Sequence, residues 1–159
     1  MRQAIWIAVS VVAIAYVSFA YATLDRRSDS EQISALVTRG VEAVQQRNVT
    51  AVVSCVSPSY KDDAGITYDR LRILLAQAMA NEPNYVVETS NQAIRTGDGS
   101  AVVTLHVRLK RTMGMVFYER DLTLQLAKER AYHMLIIPTK QWRVVGTSNL
   151  GLPTTETAF

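Results

Sequence analysis

The chain has 159 residues, 48% of them hydrophobic and 19% charged, which suits one packed domain with a short appendage and excludes global disorder. The formal charge is +3 and the basic residues are scattered, which excludes the clustered cationic face of a nucleic-acid binder. Cys55 is the one cysteine, so no internal disulfide can form, and its small apolar neighbours in AVVSCVS make it a buried, inert thiol.

Residues 4 to 24, AIWIAVSVVAIAYVSFAYATL, carry no charge. About 20 residues at 1.5 Å rise cover a ~30 Å hydrocarbon core, so residues 1–27 read as a single-pass transmembrane anchor and linker. Ala20 and Ala22 form the A-x-A pattern that a signal peptidase cuts, which makes cleavage near Ala22 to a secreted or periplasmic protein the alternative. The apolar run is longer than a usual signal-peptide core and favours the anchor. Arg2 against Asp25, Arg26 and Arg27 sets the orientation weakly, and the simpler arrangement is a short cytoplasmic tip. Either version puts residues 28–159 outside the cytoplasm.

Next, Ile33, Leu36, Val37, Val41 and Val44 recur at helical spacing, with Ser28 or Asp29 placed to cap the start. Asn48 is a good N-cap for a second, shorter helix that Pro58 ends. A third helix starts at Thr67, shows Leu71, Leu74, Leu75 and Ala78 on one face, and stops near Pro83. Between these helices, SPSYKDDAGITYDRLRILL reads as a corner: Gly65 permits the turn, and Thr67 caps the helix with Asp69 near its positive end. Asp62 and Asp63 are adjacent, so their side chains diverge and make neither a proton-sharing pair nor a metal clamp.

From residue 84 the period becomes two. NYVVETSNQAIR and SAVVTLHVRLKR flank TGDG, and VFYERDLTLQLAK follows MG; both junctions predict hairpin turns. ERAYHMLIIPTK fits neither strand nor helix cleanly and predicts a long covering loop with an extended part, before a last strand in QWRVVGTSN. Helices first and strands afterwards argue for an α+β domain over 28–150. It has three N-terminal helices packed on one face of a curved antiparallel sheet, with a flexible tail at 151–159. A turn centred on Met113 and Gly114 sets Leu105 against Leu122 and Val103 against Leu124. The other face then pairs His106 with Asp121 and Arg108 with Glu119. Tyr118 and Arg120 share the apolar face, where a charge must find a partner or reach the rim.

The corner VSPSYKDDAGITYDRLRILL, and a meander closing on WRVVG, resemble the nuclear transport factor 2-like superfamily over residues 29–149. That group includes ketosteroid isomerase, the SnoaL-like polyketide cyclases and many domains with no known reaction. The resemblance implies a cone-shaped, cystatin-like roll with a pocket between sheet and helices, and dimerisation through the sheet, for which Val86, Ile94 and Val102 are the exposed apolar residues. In isomerase-like members an acidic base faces an acid donor across that pocket. Here no acid lies on the apolar strand parity, since Asp121 and Glu119 occupy the opposite one, so no catalytic residue is assigned. Tyr60, Tyr85, Tyr118 and Arg120 remain as ligand-binding candidates for a small hydrophobic or anionic ligand. Arg120 with Tyr118 suits an anionic or polar one, and the structural alternative is an inward arginine satisfied by a helix carboxylate or carbonyls.

His106 with Asp121 has the form of a catalytic orientation pair, yet no nucleophile stands beside it, and a cross-strand charge pair is the plainer reading. His106 and His133 are far apart and lack a paired motif, so no metal is expected. No phosphate loop, dinucleotide fingerprint, serine elbow or zincin motif is present, and no cofactor is expected. The sequence thus points to a membrane-tethered, extracytoplasmic domain with a non-catalytic binding or assembly role, or alternatively to an isomerase- or cyclase-like enzyme or a ligand carrier.

Overall fold

The computed structural model describes residues 2–22, 27–82, 84–133 and 137–151, with side chains at all of these except 2–9, 21 and 133. The expected linker at 23–26, Pro83, the segment 134–136, the His133 side chain and the tail from 152 lie outside them. Four helices, α1 (Arg2–Ala22), α2 (Asp29–Gln45), α3 (Val49–Ser54) and α4 (Tyr68–Asn81), precede four strands among the described residues. The strands are β1 (Tyr85–Thr96), β2 (Ser100–Arg111), β3 (Val116–His133) and β4 (Ile137–Ser148), in one antiparallel sheet of order β1-β2-β3-β4. The domain is therefore α+β, with helices packed on a meander.

By contacts the chain divides into two compact units, residues 1–28 with 129–141, and residues 29–128 with 142 onward. In the first unit, α1 exposes Val11, Val12, Ile14 and Phe19. Among the described residues no helix is long and apolar enough to cross a membrane. ERAYHMLIIPTK, expected as a covering loop with an extended part, is extended over more of its length: β3 runs to His133 and β4 begins at Ile137. Pro138 falls within β4, a strand at the edge of the sheet, where a proline is tolerated when its nitrogen faces away from the neighbouring strand.

In the second unit, the stripe of α2 buries Ile33, Leu36 and Val37, and Val41 packs against the same core. Ala51 N–H donates to Asn48 Oδ1 at 3.0 Å, the N-cap of α3 that the sequence predicts. On α4 Leu71 and Met79 are buried and Leu74 and Leu75 pack against the core, as the stripe predicts for the three leucines, whereas Ala78 is exposed and Met79 takes the inward place at that turn. Thr67 occupies the N-cap without a side-chain cap bond. The turn before it is closed by Asp62, whose Oδ1 accepts from the Ile66 N–H at 2.6 Å.

The β2–β3 register is the predicted one, with Leu105 opposite Leu122, Val103 opposite Leu124, His106 opposite Asp121 and Arg108 opposite Glu119. Strand β1 departs from simple alternation: a bulge between Ser90 and Ala93, with Asn91 at φ 54°, reverses its parity. Val87 and Thr89 therefore face inward before the bulge and Ile94 after it, packed against the core, so Ile94 is not on the outer face with Val86 and Val102. Both sheet edges are covered in part. On β1, the Gln45 amide donates to Tyr85 O at 2.9 Å and accepts from Val87 N–H at 2.7 Å, standing in for a neighbouring strand. On β4, residues 55–63 run alongside, with Val144 N–H to Cys55 O, Ser57 N–H to Val144 O, Lys61 N–H to Val145 O and Asp63 N–H to Thr147 O. The corner thus seals an edge as well as joining two helices.

Candidate functional site

The helices and the concave face of the sheet enclose a cavity of about 200 Å³. Its wall comes from α2 (Leu36, Val41, Val44), α3 and the corner (Val52, Cys55, Tyr60), α4 (Leu71, Leu75) and the inward positions of the sheet (Leu105, Val107, Leu122, Leu124). These side chains are those that the helical and alternating periodicities turn inward. Gly40 also lines the cavity, in the middle of α2, where a Cβ would meet nothing within 4 Å.

Polar atoms in the wall are few and mostly occupied. The Tyr60 and Thr147 hydroxyls share a 2.5 Å hydrogen bond, and Tyr60 is only 2% exposed. Burial, reinforced by Asp62 and Asp63, pushes the Tyr60 hydroxyl up to about 12 despite the opposing bond to Thr147. It stays protonated at ordinary pH and is a weaker acid than a free phenol. The Cys55 thiol is buried and free, and desolvation raises its pKa, which is the inert state expected. Thr89 adds the remaining hydroxyl, and no carboxylate, imidazole or cationic side chain is among the described residues of the wall. Asp62 is buried too, but outside the wall, and its Oδ2 has no partner among the described residues.

Of the four candidates, only Tyr60 lines the cavity. Tyr85 donates to Val44 O at 2.7 Å and meets Phe117 edge-on, with ring centroids 6.2 Å apart. It ties β1 to α2, and burial raises its pKa. Tyr118 is half-buried on the concave parity and donates to Leu150 O at 2.8 Å; burial raises its pKa as well. Arg120 sits opposite Val107 in the ladder, on the same parity, but its side chain is exposed at the rim. The carboxylate or carbonyl partner expected for an inward arginine is absent: among the described residues Arg120 makes no hydrogen bond or ion pair. Its guanidinium lies over Gly151, with Nε 3.2 Å from where a Cβ would stand.

Arg120 borders a second, open cleft of about 620 Å³ with His106, Glu119, Asp121, Asn149 and Gly151. Here His106 Nδ1 contacts Asp121 Oδ1 at 2.7 Å and Nε2 contacts Glu119 Oε1 at 3.0 Å. Hydrogen bonds to Asp121, then Glu119, hold the imidazole pKa above its usual range. Arg108 Nε and Nη2 both donate to the same Glu119 oxygen, and Arg108 followed by His106 holds the Glu119 carboxyl below its usual range. Lys110 and Glu88 extend this ladder across the outer face at 2.7 Å. Among the described residues no cluster of ligating side chains could hold a metal ion.

No family model matches the sequence, and no curated protein matches it. Solved structures do. A cystatin-like-fold protein of unknown function from Nostoc punctiforme superposes with a TM-score of 0.60 at 13% identity, over 79% of this chain and 94% of that one. A nuclear transport factor 2-like protein of unknown function from Pseudomonas putida gives 0.58 at 12% identity, over 76% and 85%. Bd1075 from Bdellovibrio bacteriovorus gives 0.60 at 12% identity over 76% of this chain, which spans only 42% of that larger chain. The domain has the cystatin-like fold of nuclear transport factor 2-like proteins. At these identities the likeness establishes the fold, and function has to be argued from the site.

Proposed function

We propose that this chain is a membrane-tethered, extracytoplasmic member of the nuclear transport factor 2-like superfamily, with a non-catalytic role in binding a small apolar molecule. The observation that carries the binding role is the wall of the cavity, which is aliphatic apart from Thr89, the buried Cys55 and the paired hydroxyls of Tyr60 and Thr147. Proton abstraction from a bound substrate needs a base within hydrogen-bond reach, and general acid catalysis needs a donor tuned towards neutral pH. A tyrosine pushed up to about 12 and committed to a threonine is neither. An apolar cavity of about 150 Å³ accepts benzene, so one of about 200 Å³ suits a single ring or a short acyl chain.

Methyl NMR with 1-hexanol tests this role: shifts confined to cavity residues such as Val107 and Leu122 support it. Solvent-proton exchange at the α-carbon of a cyclic ketone, abolished by Tyr60→Phe, overturns it in favour of an isomerase-like enzyme. The tether rests on the uncharged sequence from residue 4 to 24 and on exposed Val11, Val12, Ile14 and Phe19. Membrane fractionation followed by N-terminal sequencing tests it, and a soluble chain beginning at Thr23 overturns the anchor. An assembly role is the second reading, favoured by Val86 and Val102 at 48% and 40% exposure on the outer face. Sedimentation of the chain with and without Val102→Asp would detect a homodimer through the sheet.

A further inference from the structure

We infer that Arg120 is the head-group receptor of the cavity, which makes the ligand a small apolar monocarboxylate. This rests on the cavity-binding reading and names its ligand class. In the ladder Arg120 stands opposite Val107 and two positions before Leu122, both of which line the cavity, so its side chain leaves the backbone on the concave face. It then reaches the rim and lies over Gly151, where any Cβ would crowd the guanidinium at 3.2 Å and the backbone φ of 62° favours glycine.

The linings of the two spaces alternate along one short segment. Leu150 contributes to the cavity wall, while its neighbours Asn149 and Gly151 border the cleft that holds the guanidinium. Tyr118 donates to the Leu150 carbonyl at 2.8 Å, which ties this short segment to β3. The other charges bordering the cleft are engaged: Glu119 by Arg108 and His106, and Asp121 by His106. Arg120 alone among them makes no hydrogen bond or ion pair within the described residues. A guanidinium fork matches a carboxylate in shape and charge, and the Asn149 amide beside it can donate to the same group. A phosphate head would bring a second negative charge towards Glu119 and Asp121, which favours the monoanion.

The test titrates the full chain in nanodiscs with hexanoate, hexyl phosphate and 1-hexanol, following the Val107 and Leu122 methyls by NMR. Hexanoate is expected to bind in preference to the other two. R120Q should weaken hexanoate by about tenfold to a hundredfold, the loss of one charge-assisted contact, and leave hexanol unchanged. R120K should restore part of the loss, since it keeps the charge without the fork. Hexanol binding together with hexanoate affinity that R120Q does not change would sink the role of Arg120 and leave the cavity reading standing. Tighter hexyl phosphate binding would overturn the carboxylate assignment. Methyl shifts from none of the three probes would remove the cavity reading, and this inference with it.

Discussion

The Tyr60 hydroxyl meets the Thr147 hydroxyl at 2.5 Å across 87 positions of sequence, joining the corner after α3 to the end of β4 inside the cavity wall. Tyr60→Phe removes one partner and leaves Thr147, itself 7% exposed, with a buried hydroxyl to satisfy. The expected cost is about 1–3 kcal/mol, read from chemical denaturation at unchanged m-value. Double substitution with Thr147→Val should recover part of that loss, because no hydroxyl is then stranded. Full additivity of the two single effects would show that the bond contributes nothing.

The same seam makes a demand at Gly146. A Cβ there would stand 3.0 Å from the Lys61 carbonyl oxygen and 3.3 Å from Gln125 Oε1. The first of these is backbone, held in place because the Lys61 N–H donates to Val145 O. Gly146→Ala should therefore prise the corner from β4 and destabilise the fold by about 1–3 kcal/mol. A melting temperature equal to or above that of the native chain would show that the corner moves freely.

Helix stripes and the β2–β3 register were legible because each rests on a regular period: 3.6 residues for Ile33, Leu36 and Val37, and two for Leu105 against Leu122. The reversal in β1 was not, because Asn91 and Gln92 carry no glycine or proline to mark a bulge, and Ile94 therefore changed faces unseen. The stretch before QWRVVGTSN showed no clean period, and its place in the edge strand β4 is a fact of topology. At the site, Tyr60 was readable as an inward ring, but Thr147 as its partner was not. Contacts between residues 87 positions apart leave no local signal. Tyr85 and Tyr118 were recognised as sheet aromatics, while their carbonyl partners at Val44 and Leu150 required the tertiary structure.

His106 gives the fold a dependence on pH with a definite sign. Both ring nitrogens face carboxylates, and two hydrogen bonds at once require the imidazolium. The pKa is raised above 6.5, so this stabilisation is complete below 6.5 and is lost as pH rises through the folded value. The Glu119 carboxyl is lowered below 4.5, so its share is present above 4.5 and is lost as pH falls through its own folded value. The ladder is strongest between those limits. Melting at about pH 6 should exceed melting at about pH 8, and His106→Gln should narrow the difference. An equal difference in both proteins would assign the pH dependence to other groups.

Gly40 offers the sharpest test of whether the cavity is used. It lies mid-helix in α2, lines the cavity, and has neither a positive φ nor any atom within 4 Å of a Cβ position. Neither backbone strain nor close packing explains it, and as a helical residue it is worse than alanine by about 0.5–1 kcal/mol. What the missing methyl does is leave space. Gly40→Ala should therefore raise stability by about that amount while lowering affinity for 1-hexanol, and Gly40→Leu should abolish binding while the chain still folds. Stability and binding would move in opposite directions, as expected where an opening is kept at the expense of the helix. If Gly40→Leu binds hexanol as the native chain does, the ligand lies elsewhere and the aliphatic cavity is only imperfect packing.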